Sequence, residues 1–429
     1  MKASFYTLGC KVNQYESQYM SEILMKAGYE SVNNHEDADI YIINSCTVTS
    51  ESDRKTRQSV RRFKRNHPNA LVVLTGCMPQ AYPEAAKELY EADIVLSNSN
   101  NGDILDLINS YFLEHKRIVK IIPHEKGEKF QKSQISDFYE RTRAVVKIED
   151  GCDRYCSYCI IPTARGRVRS KPLDEIKKEV ETLAEKGIVE IVLVGINLSA
   201  YGKGENEQID ITDAVHAACS VEKIKRVRLG SLEPDHLTEE IVAKLAKEQN
   251  LCPQFHISLQ SGCDKTLKKM NRHYTADEYR TLCKELRSKF ADCTLTTDVM
   301  VGFPYETQED FEESMAFVKE IGFEKVHVFP YSPRENTLAA KWEQIEKHVK
   351  EERSRQMIEM TNEVREEILK KQIGKKLNVL FESKHGDYFE GYTANYTPVR
   401  VKSENCLSSQ TLNVEITDSD SEYCYGRII

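Results

Sequence analysis

The sequence predicts an α/β protein in three parts: an N-terminal open parallel sheet, a central (partial) β/α barrel, and a small C-terminal β-barrel. Three observations carry this. Short apolar runs rich in β-branched residues alternate with helix-compatible stretches over the first 125 residues. Six further strand-then-helix units fill the middle of the chain. The last 60 or so residues hold only short strands between polar turns. A length of 429 residues also suits about three domains at roughly 150 residues each.

In order, SFYTL (4–8) reads as a strand, Gln14 to Ala27 as a helix, and DIYIINS (39–45) as a strand. A helix over Thr49–Asn66, the strand ALVVLTG (70–76), a helix near Pro83–Tyr90 and the strand DIVLS (93–97) follow. This alternation indicates parallel strands joined by crossover helices, the unit taken as residues 1–125. Pro123–Tyr139 is polar and reads as a linker. The second series, residues 138–371, has strands at 144–149, 190–195, 226–231, 254–260, 294–302 and 325–331. Helical stretches lie between or after them, among them Asp174–Lys186, Thr238–Glu248, Ala276–Phe290 and Gln308–Glu320. Chemistry is expected at the carboxyl ends of such strands. A charged helix from about Gln344 to Lys371 leads into the tail, residues 372–429, with strands NVLFE, YFEGYTA, PVRVK and LNVEIT.

Composition narrows the class. MKASFYTLGC lacks an apolar h-region, no stretch nears the ~20 apolar residues of a membrane span, and a cytoplasmic location without membrane contact is expected. Thirteen cysteines, an odd number at irregular spacing, argue against a disulfide framework and leave metal ligation, catalysis or burial. With a formal net charge of -8, nucleic-acid contact must come from local basic patches.

GCDRYCSYC places Cys152, Cys156 and Cys159 directly after the first barrel strand. Three close thiolates can hold three irons of a cubane cluster and leave the fourth for a small chelating ligand. A zinc site would need a fourth protein ligand, and the spacing does not match paired zinc knuckles. Cys10, Cys46 and Cys77 are far apart in sequence, yet each stands just beyond the carboxyl end of an expected parallel strand. Such ends gather on one edge of an open sheet, so three separate thiols can meet there. Cys219, Cys252, Cys263, Cys283, Cys293, Cys406 and Cys424 share no register and read as buried small hydrophobes.

The compact spacing, set on a barrel, resembles the radical S-adenosylmethionine superfamily. TLGCKVNQYES, INSCTVTS and LTGCMPQ resemble the N-terminal part of its methylthiotransferases, and the tail looks like an RNA-binding TRAM domain. The resemblance therefore covers essentially the whole chain. It implies two 4Fe-4S clusters: one on Cys152, Cys156 and Cys159 that binds S-adenosylmethionine, and an auxiliary one on Cys10, Cys46 and Cys77 that carries the sulfur. It also implies that Tyr158 packs on adenine, and that Gly195 faces the methionine amino group. Glu233 and Asp298, at later strand ends, are further cofactor candidates. One S-adenosylmethionine methylates sulfur at the auxiliary cluster; a second is reductively cleaved to a 5'-deoxyadenosyl radical that activates the substrate. An electron donor such as flavodoxin or ferredoxin and a sulfur source are the implied protein or small-molecule partners.

The wording LGCKVN followed by SCTVT looks like the branch that converts N6-threonylcarbamoyladenosine at tRNA position 37 to its 2-methylthio form. The branch acting on isopentenyladenosine, or on a ribosomal-protein aspartate, is the alternative; a non-enzymatic RNA-binding protein with structural clusters is the third. RKTRQSVRRFKR (54–65) carries seven basic residues and no acid, so Arg54, Arg57, Arg61 and Arg62 are candidate phosphate contacts. Arg165, with Arg167 and Arg169, follows the cluster loop and can meet cofactor or RNA, and KTLKKMNRHY (265–274) is a third basic stretch. Arg334 in YSPRENTLAA is a candidate substrate contact, with Asn336 standing where the family usually has Gly. A base in the anticodon loop leaves its stack at the cost of a few kcal/mol.

Overall fold

The computed structural model describes residues 1–33, 37–136, 142–203 and 208–429. The end of the expected linker and the expected first residue of the barrel region, position 138, lie outside the described residues.

The N-terminal sheet has six parallel strands: β1 (Lys2–Thr7), β2 (Glu30–Val32), β3 (Ile40–Ser45), β4 (Leu71–Gly76), β5 (Ile94–Leu96) and β6 (Ile118–Lys120). Their order is β2-β1-β3-β4-β5-β6, so the three strands that precede Cys10, Cys46 and Cys77 are neighbours. Every residue of β3 and β4 is buried, as continuous apolar runs require when helices cover both faces of a parallel sheet. Helix α1 (Lys11–Lys26) and the helix Ile104–Glu114 cover one face. Helix α2 (Ser50–Asn66) covers the other through Val60 and Phe63. The edge strands β2 and β6 and the helix Ile104–Glu114 were not expected from the sequence; three-residue edges are too short to show a period.

In the central region β7 (Arg143–Lys147) is followed by the two-residue strands β8 (Glu149–Asp150) and β9 (Arg169–Ser170), which pair antiparallel and bracket the GCDRYCSYC loop. β10 (Glu190–Val194) and β11 (Arg226–Leu229) complete a parallel sheet in the order β11-β10-β7. β12 (Ser231–Leu232), β13 (Gln254–Ile257), β14 (Thr294–Val301) and β15 (Lys325–Pro330) form a second parallel sheet in that order. The expected strand 226–231 is thus divided at Gly230, where the wall passes from one sheet to the next. Among the described residues no pairing joins β7 to β15, so the barrel is partial.

The tail is a closed antiparallel-rich barrel of β16 (Lys376–His385), β17 (Tyr388–Thr393), β18 (Pro398–Lys402), β19 (Thr411–Ser419) and β20 (Cys424–Ile428), in the order β16-β17-β18-β20-β19. Its fifth strand, CYGRI, escaped the sequence reading because Tyr, Gly and Arg break the apolar alternation. Full closure leaves no unpaired edge. The helix Lys347–Lys370 joins the two barrels, and Leu369 at its end enters the tail core.

What positions the functional region is α1. Its Val12 and Tyr15 belong to the core of the central barrel rather than to the N-terminal sheet. The Tyr15 hydroxyl donates to Ser133 O and Glu179, each at 2.9 Å. Burying such a ring stabilises the junction by about 2 kcal/mol. The residue just before α1 is Cys10, so docking this helix also fixes one corner of the dispersed triad.

Candidate active site

The dispersed triad is assembled by backbone geometry. Cys46 follows β3 directly, Cys77 opens the short helix α3 (Cys77–Ala81), and Cys10 caps α1. Gly76 has φ of +97°, and a Cβ there would sit 2.4 Å from Ser45 O, so only glycine lets β4 turn Cys77 back towards Cys46. Gly9 lies against the Cys46 side chain, where a Cβ would come within 2.9 Å of its Cβ. Asn13 holds the corner: its Oδ1 faces the Cys10 thiol at 3.3 Å, and its amide donates to Asn44 Oδ1 and Ser45 O, both at 3.2 Å. Burial raises the Cys46 thiol, and the facing Cys10 raises it further. Burial pushes Cys77 up to about 12 against the pull of Arg165, with Cys46 and Cys10 among its charged neighbours.

The compact triad is clamped by its loop. Cys152 N–H donates to Gly166 O at 3.0 Å, Ser157 N–H to Met270 O at 3.0 Å, and Cys159 N–H to Cys156 O at 3.0 Å. Gly151, at φ +89°, runs so close to Arg167 O that a Cβ would stand 1.9 Å away. Arg272 Nη1 donates to Cys156 Sγ at 3.5 Å. Burial raises Cys152, with Cys159 and Cys156 adding to it, and pushes Cys159 up to about 12.

Each set supplies three thiols, the donor number that a cubane cluster with one iron lacking a protein ligand takes. Among the described residues no three His, Cys, Asp or Glu side chains close on a single ion. A cubane takes one thiolate per iron, so its cysteines stand around the cluster rather than around one atom. Desolvated thiols such as Cys77 and Cys159 become thiolates only when metal takes the proton's place.

The other expected residues separate into groups. Tyr158 packs with Met270, Met300, Phe303 and Tyr331, its ring 6.1 Å from that of Phe303. Gly195 faces the Glu149 carboxylate; a Cβ there would meet Glu149 Oε2 at 2.4 Å. Glu233 is bound by Arg272, and Asp298 Oδ2 lies 3.2 Å from His256 Nε2. Cys10, Gly195 and Asp298 line one cavity of about 600 Å³ that also reaches Tyr392 and Tyr396 of the tail barrel.

Two RNA or substrate assignments are corrected. Arg165 is fully buried and forks onto Glu16, with Nε 3.3 Å from Cys77 Sγ, so it cannot reach RNA. Arg334 is 5% exposed; it is bound to Asp53 and donates to Thr47 at 3.0 Å, tying the barrel to the N-terminal sheet rather than to substrate. Arg272 and Arg169, in the other basic stretches, are buried as well. Asn336 has φ of +70°, a left-handed conformation that Asn tolerates best after Gly, which explains its presence. By contrast Arg54 and Arg61 are exposed, paired with Glu51 and Glu91, and Arg62 lies over the Phe63 ring at 4.8 Å. Arg57 is half-buried on the same helix. Cys406 is exposed, against its expected burial.

Sequence reasoning missed Glu149, Glu16 and Arg272. Glu149 is wholly buried: Oε2 accepts from Asn197 N–H at 2.7 Å, and Oε1 has no hydrogen-bond partner among the described residues. Burial and the neighbouring Asp150 raise its carboxyl well above the usual range. The only sequence signal was a pair of acids, Glu149 and Asp150, ending an apolar strand just before the cluster loop.

Residues 2–97 match the uncharacterized protein family UPF0004, and residues 146–318 match the radical SAM superfamily. Over 99% of this chain and 96% of the relative, the sequence is 34% identical to the threonylcarbamoyladenosine tRNA methylthiotransferase MtaB of Bacillus subtilis (strain 168). It is 38% identical to the protein of that name from Thermotoga maritima, over 93% of this chain and 90% of the relative. The chain belongs to the MtaB-type radical S-adenosylmethionine methylthiotransferases. This family membership accounts for the full span of the match, from the UPF0004 segment to the tail. The tRNA-2-methylthio-N(6)-dimethylallyladenosine synthase of Clostridium novyi (strain NT) is 34% identical over 99% of this chain and 95% of its own length. Among solved structures, the radical S-adenosylmethionine methyltransferase TsrM from Kitasatospora setae aligns with a TM-score of 0.57, over 79% of this chain and 74% of that one. At 14% identity it shares the fold. No helix among the described residues is long and apolar enough to cross a membrane.

Proposed function

We propose that this enzyme inserts a methylthio group at C2 of N6-threonylcarbamoyladenosine at position 37 of tRNA. The observation that carries the proposal is the pair of cysteine triads, one after a barrel strand and one at three neighbouring strand ends of the N-terminal sheet, on either side of the junction made by α1 and Ile161–Arg165. Cys152, Cys156 and Cys159 hold one 4Fe-4S cluster, and Cys10, Cys46 and Cys77 hold the second. When bound, S-adenosylmethionine at the first cluster supplies a methyl group and one-electron chemistry that reaches an unactivated C–H bond.

The chain's own residues do the rest. Tyr158, Gly195, Glu233 and Asp298 surround the cofactor, and the unpartnered Glu149 Oε1 beside Gly195 offers a buried acceptor for a cationic group. His256, Thr296, Asp298 and His327 line the cavity and offer hydrogen-bond partners to a threonylcarbamoyl group. Arg54, Arg57, Arg61 and Arg62 of α2 neutralise tRNA phosphates. The functional units are residues 1–125, 138–371 and a TRAM-like 372–429. A flavodoxin or ferredoxin delivers electrons, a separate donor restores the sulfur, and the enzyme works in the cytoplasm.

Mass spectrometry of tRNA nucleosides from cells with and without the gene tests the reading. The 2-methylthio form of threonylcarbamoyladenosine should disappear on deletion. Loss of the 2-methylthio prenyl nucleoside instead would move the substrate to the isopentenyl branch, and activity on a ribosomal-protein peptide alone would move it off RNA. Failure to form 5'-deoxyadenosine under reducing anaerobic conditions would leave only an RNA-binding role.

A further inference from the structure

Arg165 and Arg228 are the largest fully buried side chains among the described residues, and the place of Arg165 is unusual. It ends the helix Ile161–Arg165, which begins two residues after Cys159, yet its guanidinium reaches across to the other triad. Nε donates to Cys77 Sγ at 3.3 Å while the Nη groups fork onto both carboxylate oxygens of Glu16, six residues after Cys10. Asp150 lies 3.6 Å from Nη1. Glu16 in turn takes Lys147 Nζ at 2.9 Å, and Lys147 takes Asp150 at 2.6 Å. Ile160 and Ala164 of the same segment pack with Cys77 and Ala81.

This geometry fixes the guanidinium rigidly. A planar fork held at one edge by Glu16 aims its Nε at one direction only, and a lysine cannot serve both partners. Hydrogen bonds to cluster sulfurs and buried charge are two of the means by which a protein sets an iron–sulfur potential.

We propose that Arg165 is a positioning residue for the auxiliary centre: its Nε–H bond to Cys77 Sγ and its buried charge, balanced by Glu16, hold that ligand and set the reduction potential of the cluster on Cys10, Cys46 and Cys77. The proposal rests on the two-cluster reading. It assigns the barrel's own segment, carrying Cys159, to the control of the neighbouring sheet's cluster.

The test uses the full chain with Cys152, Cys156 and Cys159 changed to Ala, reconstituted with iron and sulfide, so that only the dispersed triad can load. Iron analysis should find about four irons per chain. Redox titration followed by electron paramagnetic resonance then reads the cluster directly. Arg165→Lys should lower the midpoint by at least a tenfold change in the reduced-to-oxidised ratio, ~59 mV for a one-electron couple, or release the cluster from a chain that remains folded by circular dichroism. Glu16→Gln, which removes the counter-charge and keeps the Nε bond, should move the midpoint the opposite way; a merely structural pair would not reverse sign. Should Arg165→Lys fail to fold, the Glu16→Gln titration decides alone. Unchanged midpoint and loading overturn the proposal. Absence of iron in the triple variant overturns the two-cluster reading, and the proposal with it.

Discussion

The compact and dispersed triads solve one problem with different means. The compact triad is held by a nine-residue loop whose own amides and neighbours, Gly166 O and Met270 O, close it. The dispersed triad has no such loop; three strand ends bring its members together, and Asn13, Gly9 and Gly76 fit them to one another. Each has one buried arginine against a cysteine sulfur and one glutamate against that arginine: Arg272 with Glu233, and Arg165 with Glu16. The local site depends on a loop. The dispersed one depends on the docking of whole elements, so damage to packing should reach it first.

The largest expected effect separates the two chemically. Cys156→Ala should abolish both 5'-deoxyadenosine formation and methylthio product, whereas Cys46→Ala should abolish the product and leave measurable cofactor cleavage. Repeated turnover to methylthiolated tRNA by the Cys46 variant would remove the division of labour.

Next comes the docking itself. Arg334→Ala deprives the buried Asp53 of its partner across the sheet–barrel junction, and should cost about 3 kcal/mol. Thermal unfolding should fall accordingly, and iron should be lost from the dispersed triad before the compact one. Equal loss from both would show that the junction does not discriminate.

Glu324, the residue before β15, offers a pH-dependent control. Its carboxyl is buried, Oε2 has no hydrogen-bond partner among the described residues, and burial pushes it up to about 7 from 4.5 against the pull of Arg365. The folded state therefore holds this proton more tightly than the unfolded chain. Its contribution is fully present below pH ~4.5, declines as pH rises to about 7, and is then lost, at most about 3 kcal/mol in all. Glu324→Gln should flatten that part of the stability–pH curve without altering either cluster's spectrum.

The smallest effect belongs to the exposed helix face. Arg54→Ala, at a surface ion pair with Glu51, should leave thermal stability essentially unchanged, because solvent screens an exposed pair. It should still weaken tRNA binding, and reduce the salt slope by about one charge. No change in binding would remove α2 from the RNA surface.

The sequence by itself determined the three-part α/β order and most of its strands, because buried parallel strands read as apolar runs whatever surrounds them. It determined the compact triad, since eight residues fix both spacing and loop. It located Cys10, Cys46 and Cys77 at strand ends, because Gly-Cys after an apolar run is visible in one dimension. Only the tertiary structure decided which charges stay in water. Arg165, Arg272 and Arg334 look like the surface arginines of α2 in sequence, yet each is buried against a carboxylate contributed from elsewhere in the chain. The partners lie 149, 39 and 281 residues away, a separation that no local pattern records. The same holds for Glu149, whose burial depends on Gly195 and Asn197 arriving from the next strand. Burial is a property of the packed whole, and it turned three expected contacts with solvent or RNA into buried ion pairs.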